Sequence, residues 1–133
     1  MKKGFTLIEL LAVIVILAII ALIATPIILG IIEDARAEAK VRSAELAVTG
    51  VEYAITQYMY NQKGNTPKDI DSIKEYFSVE NVELTGSSTS GTIKEEGATD
   101  DLCTVTVNSG VFNVSCLAND PKNKFDKAIL ATK

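Results

Sequence analysis

The chain has 133 residues, 17 of them acidic and 13 basic, for a formal net charge of −4, with no histidine and two cysteines. This is one small domain's worth of sequence. The lack of histidine removes the commonest general base and the commonest metal ligand. With no basic tract beyond Lys2 and Lys3, nucleic acid has little electrostatic footing.

Mean hydropathy is positive because of one segment: residues 5–32 are almost entirely apolar, and most of the charge follows Glu33. About 100 residues remain beyond it, enough for one modest core. The even cysteine count fits a single disulfide formed in an oxidising compartment.

The first element is the apolar run. From Phe5 to Ile32 there are 28 residues carrying one charge, Glu9. As a helix they span roughly 42 Å, more than a hydrocarbon core of about 30 Å. Lys2 and Lys3 before the run argue for a cytoplasmic N-terminus and a body outside. A secretory signal peptide would place small residues and a cleavage site after the run, yet the run continues past Ala21–Ala24 to Ile32. A plain membrane anchor fits the length. Neither reading accounts for a carboxylate at Glu9, which is costly inside a bilayer unless it lies near the interface.

Lys2-Lys3-Gly4-Phe5-Thr6-Leu7-Ile8-Glu9-Leu10-Leu11 resembles the class III prepilin signal of type IV pilins, pseudopilins and competence pilins. The matching parts are a short basic leader, a glycine, a phenylalanine, a glutamate four residues further on, and the apolar run. The resemblance implies cleavage between Gly4 and Phe5 by a prepilin peptidase, N-methylation of Phe5, and retention of the apolar helix in the mature chain. Loss of two lysines would move the side-chain balance from −4 to −6, 11 basic against 17 acidic. It also implies a helical filament of identical subunits, raised by an inner-membrane platform and an assembly ATPase from a membrane-held pool to the cell surface. Within such a bundle a buried carboxylate needs a partner. The expected one is the Phe5 amine of the neighbouring subunit, so Glu9 and Phe5 are the expected assembly residues.

Pro26 and Gly30 interrupt the run. Proline removes a backbone donor and disfavours helix at the residue before it, so a kink is expected here. Pilins that this chain resembles often carry a proline here, and in filaments the helix around it can loosen or unwind. Beyond Ile32 the pattern turns amphipathic: Val41, Ala44, Val48, Val51, Ile55 and Tyr58 share one helical face. Asn61 to Gly64 supplies stop signals. The pattern thus predicts a membrane-length apolar half at 5–32, an amphipathic half at 33–62 and a β-rich head at 63–133, and the resemblance implies that 1–4 is a leader and that 5–32 also forms the filament core.

In the head, Thr66-Pro67-Lys68-Asp69 reads as a helix start with Thr66 as N-cap, running to about Ser78 with Ile70, Ile73 and Phe77 inward. Alternation at 82–85 predicts a strand. The Gly/Ser/Thr-rich stretch 86–91 reads as a loop, 92–95 as a short strand, and 94–101 as a charged loop. Leu102–Leu117 predicts a hairpin about Ser109-Gly110. Its register faces Val107 with Phe112, Val105 with Val114 and Cys103 with Cys116, all in non-hydrogen-bonded pairs with Cα atoms about 4.5 Å apart. That separation suits a disulfide. A bulge at Gly110 would shift the alignment, and two buried thiols are the alternative to a bond. Asn119-Asp120-Pro121 signals a turn, and 125–132 fits either a strand or a helix.

The expected fold is α+β and type IV pilin-like, a long N-terminal helix packed on a small antiparallel sheet. No nucleophile–base spacing, phosphate-binding loop, cofactor motif or metal-ligand set stands out, so no enzyme activity is expected. Glu95-Glu96 and Asp100-Asp101 lack the glycine-punctuated loop of a calcium site. The resemblance points to a pilus subunit for adhesion, motility or DNA uptake, with a pseudopilin of a type II secretion or competence system as the alternative.

Overall fold

The structure is a computed structural model describing residues 4–131. Helix α1 runs Leu7–Asn61 and helix α2 Ile70–Lys74; strands follow as β1 Val82–Ser87, β2 Ser90–Glu95, β3 Cys103–Asn108, β4 Val111–Cys116 and β5 Phe125–Leu130. The chain divides into two compact units, Met1–Glu38 and Ala39–Lys133.

In the second unit, the face of α1 that packs inward carries Ala44, Ala47, Val48, Gly50, Val51, Ala54 and Ile55, all buried. The expected face is there, and it is widened by three small residues, Ala47, Gly50 and Ala54, that the periodicity did not flag. Gly50 has a packing reason: a Cβ at that position would sit 2.4 Å from Val79 Cγ2 and 3.0 Å from Phe77 Cε2. The residue that weakens the helix by its propensity is the one that admits the α2–β1 connection. The helix ends as its stop signals predict. Lys63 and Gly64 take positive φ, and the Gly64 N–H donates to the Met59 carbonyl at 2.7 Å.

Helix α2 starts later than expected and is shorter. Its N-cap is Asp69, not Thr66, with the carboxylate accepting the Ser72 N–H at 2.8 Å. Pro67 is fully buried instead of opening the helix. A charged acceptor nearer the apolar pair Ile70 and Ile73 wins the cap. Both isoleucines are buried, and Phe77 packs against the core from outside the helix.

The five strands form one antiparallel meander in the order β1-β2-β3-β4-β5. The stretch 86–91 is not a loop. Gly86 pairs with Gly91 and Ser87 with Ser90, so the ladder runs to the turn at Ser88-Thr89. The glycines make this pairing sterically feasible: a Cβ on Gly86 would lie 2.5 Å from the Ser90 carbonyl oxygen, and one on Gly91 would lie 2.8 Å from that of Thr85. Helix α2 then fastens the turn. The Ile70 N–H donates to the Ser88 carbonyl, the Ser88 N–H to Asp71 Oδ2 and Lys74 Nζ to the Gly86 carbonyl.

The β3–β4 hairpin has the expected register, Cys103 with Cys116, Val105 with Val114 and Val107 with Phe112, and the cysteines are bonded. Ser109 and Gly110 both take positive φ, as a two-residue turn of this type requires. Closing a loop of this size contributes about 3 kcal/mol. Residues 125–130 form a strand: β5 pairs along all of β4, from Val111 with Leu130 to Cys116 with Phe125. Thr132 lies outside the described residues.

Candidate functional site

The first unit is defined by what it leaves uncovered. Phe5 is 91% exposed and Leu22 78%, and the large apolar side chains between them and on to Ile32 are exposed as well. This part of α1 is long and apolar enough to cross a membrane, and none of its most apolar window is buried in the chain's own core. A helix inside a soluble core would be covered. This one needs cover from outside its own chain.

The first turn carries a reciprocal pair of bonds. The Thr6 N–H donates to Glu9 Oε2 at 3.0 Å, and the Glu9 N–H donates to Thr6 Oγ1 at 3.2 Å. This is a capping box, Thr6 at the cap and Glu9 three residues on. It gives Glu9 a local role that sequence reasoning missed. The signal was present as Thr-x-x-Glu ahead of an apolar run. A carboxylate here also complements the positive end of the helix dipole. Gly4 has open space around it.

Pro26 does not end the helix. α1 is continuous through Pro26 and Gly30. Proline leaves the Leu22 carbonyl without its amide donor, and beside it the Thr25 hydroxyl donates to the Ala21 carbonyl at 2.6 Å. A shallow apolar groove runs past Ala18, Ala21, Leu22, Thr25, Pro26 and Leu29.

In the second unit the cysteine pair sits on the core face of the hairpin, with Cys103 and Cys116 buried. Tyr58 and Tyr76 meet edge to face, and Lys127 on β5 pairs with Glu52 on α1. Asp120 organises the turn before β5. Asn123 Nδ2 donates to Oδ2 at 2.8 Å and the Lys122 N–H to Oδ1 at 3.1 Å. The Asn123 bond, ahead of the Lys122 amide and charge, holds its carboxyl below the usual carboxylate range.

The structure thus gathers the expected residues into three places: Phe5 and Glu9 at the start of α1, Pro26 and Gly30 one turn apart on the same helix, and Cys103 with Cys116 in the hairpin. Among the described residues no group of three His, Cys, Asp or Glu side chains is placed to hold a metal ion. The features that stand out are surfaces and a staple.

An uncovered apolar helix with an acid-bearing first turn, joined to a disulfide-bonded antiparallel head, defines a pilin-like subunit. Comparison with known proteins narrows this. Residues 1–25 match the prokaryotic N-terminal methylation motif. The chain is 35% identical over 113 residues to the type IV major pilin protein PilE of Neisseria gonorrhoeae, an alignment covering 85% of this chain and 60% of that protein. It therefore spans about 60% of the length of the relative it matches. No solved structure matches it. The chain is thus similar to type IV pilins both in its N-terminal motif and along most of its own length.

Proposed function

We propose that the chain is a prepilin that is cut between Gly4 and Phe5, methylated on Phe5, held in the membrane by its apolar helix half, and polymerised into a cell-surface filament. The observation that carries this reading is the run of exposed apolar side chains from Phe5 to Ile32 behind a first turn that holds one carboxylate. In a filament, parallel copies of that run cover one another, and the heads face outward. The peptidase–methyltransferase, the inner-membrane platform and the assembly ATPase are the partners this route requires. A surface filament serves adhesion, motility or DNA uptake. The match to a major pilin favours this reading over the pseudopilin alternative.

Glu9 has two tasks in this scheme. One of its oxygens completes the capping box, and its charge meets the Phe5 amine of the adjacent subunit, fixing axial register. The box outlasts the cut, because Thr6 and Glu9 both lie beyond it. Pro26 and Gly30 mark where the helix yields when the filament is stretched, since the Leu22 carbonyl already lacks its amide partner.

The mature mass tests processing. Loss of Met1–Gly4 together with one added methyl group is expected, and an intact leader in the cells that make the protein would refute the scheme. Glu9→Gln then separates the two tasks. Glutamine also serves in a capping box but carries no charge, so the helix start is kept while assembly drops about tenfold or more, as for loss of one buried charge partner. Assembly equal to wild type would remove the charge role.

A further inference from the structure

Two carboxylates bracket the charge-free part of α1. Leu10–Ile32, 23 residues, carries no charge; Glu9 precedes it and Glu33 follows, with Asp34 and Arg36 close behind. The helix is unbroken between them, through Pro26 and Gly30. Glu9 and Glu33 stand 24 positions apart, so the helix separates them by about 36 Å along its axis. Helical side chains lean toward the N-terminus, so both carboxylates shift the same way and the interval is kept. A hydrocarbon layer is about 30 Å thick. The interval exceeds it by about 6 Å, a little over one turn.

Glu9 is also turned away from the apolar run. Its Oε2 accepts the Thr6 N–H at 3.0 Å, which holds the charge at the level of the first turn and not alongside Leu10. The side chain is exposed there. The cap thus aims the one acid of the apolar half toward the N-terminal end of the helix, the end at which the chain leaves a membrane.

We infer that, in the membrane-held subunit, Glu9 lies in the cytoplasmic headgroup layer and not in hydrocarbon, and that Glu9 and Glu33 are two stops that fix how deep the helix sits. The inference rests on the membrane stage of the proposed function. The dense charge that begins at Glu33 stays on the far side of the bilayer. With Glu33 at the outer boundary, an upright helix puts Glu9 about 6 Å beyond the inner one, and the usual tilt of about 20° still leaves it about 4 Å beyond. Sliding outward by more than this slack draws Glu9 into hydrocarbon. Sliding inward draws in Glu33. Both are opposed, because an unpaired charge is costly there. At rest the Glu9 charge is met by water and headgroups. It needs a cation only once the subunit begins to rise. The Gly4–Phe5 bond, further toward the N-terminus, then lies outside the hydrocarbon as well.

The chain has no tryptophan, so a single introduced one reports depth. Leu10→Trp and Ile20→Trp are made in the full chain, reconstituted in phosphatidylcholine vesicles, and quenched with lipids brominated at set positions along the acyl chain. Disulfide formation on a non-reducing gel reports that each variant folds. Leu10→Trp is expected within about 5 Å of the hydrocarbon boundary and Ile20→Trp near the centre. Glu9→Leu, added to Leu10→Trp, extends the charge-free run to the leader and is expected to move that tryptophan about 5 Å deeper. Glu9→Asp keeps the charge and is expected to leave it in place. A Leu10→Trp side chain at the bilayer centre, a depth that ignores Glu9→Leu, or an equal deepening with Glu9→Asp overturns the inference and leaves the membrane reading intact. Tryptophans that no brominated lipid quenches at either position overturn both.

Discussion

The two halves of α1 belong to one continuous helix, yet they satisfy opposite conditions. Beyond Ala39 the inward face is alanine, valine, glycine and isoleucine, packed under a sheet and wholly buried. From Phe5 to Ile32 the residues are more apolar still, and their large apolar side chains are exposed. Hydrophobicity alone therefore does not make a core. The head half is amphipathic and finds its cover within the chain, whereas the apolar half has no polar side to turn outward and needs cover from outside the chain.

The sharpest way to break this contrast is to remove apolar volume from each side of it. Phe112 is fully buried, and Phe112→Ala should cost the head about 3–5 kcal/mol. Ile16 is 56% exposed, and Ile16→Ala should leave head stability within about 0.5 kcal/mol of wild type. Denaturant unfolding of the full chain in detergent, followed by circular dichroism of the sheet, measures both. An equal loss at the two positions would show that the apolar half packs on its own head.

A smaller effect sharpens the boundary inside the head. Gly50 sits where a Cβ would overlap Val79 and crowd Phe77. Gly50→Val should destabilise by about 2 kcal/mol, because overpacking outweighs any gain in helix propensity. A Cβ added at Gly30 would meet nothing within 4 Å, so Gly30→Ala should stiffen that part of the helix without a clash. The same unfolding experiment separates them.

The smallest effect is electrostatic and local. The carboxyl of Asp120 is held below its ordinary range by the Asn123 side chain first, and by the Lys122 amide and charge. A depressed folded value means that the stabilisation is fully present above the unfolded carboxylate pKa and is lost as pH falls through the folded one. The turn before β5 should therefore loosen only in acid, below the usual carboxylate range. The Lys122 amide resonance should follow it, and Asp120→Asn should flatten that response.

Much of this arrangement was legible in the residues. Alternation through Cys103, Val105 and Val107, then Phe112, Val114 and Cys116, allowed one register about Ser109-Gly110, and the structure has it. The three- and four-residue spacing of Val48, Val51 and Ile55 marked the buried helix face because period and burial coincide there. The misses have a common cause. Gly86 to Gly91 looks like a loop by composition, yet it is a ladder because α2 clamps its turn, a contact between segments that no local pattern encodes. Thr66 lost the cap to Asp69 because burial of Pro67 moved the helix start. In the first turn, Thr6 and Glu9 carried a readable capping box that was overshadowed by the question of what neutralises the acid.

The strand order has a consequence for how the head acquires its structure. Each strand lies beside the one just before it in the chain, so every pairing closes a short stretch and none waits for a distant segment. Low sequence separation between partners speeds the search for the native state. The hairpin that brings Cys103 to Cys116 can consequently align its thiols before β5 is added, so that an oxidant meets a nearly correct pair and a fold that zips forward one strand at a time.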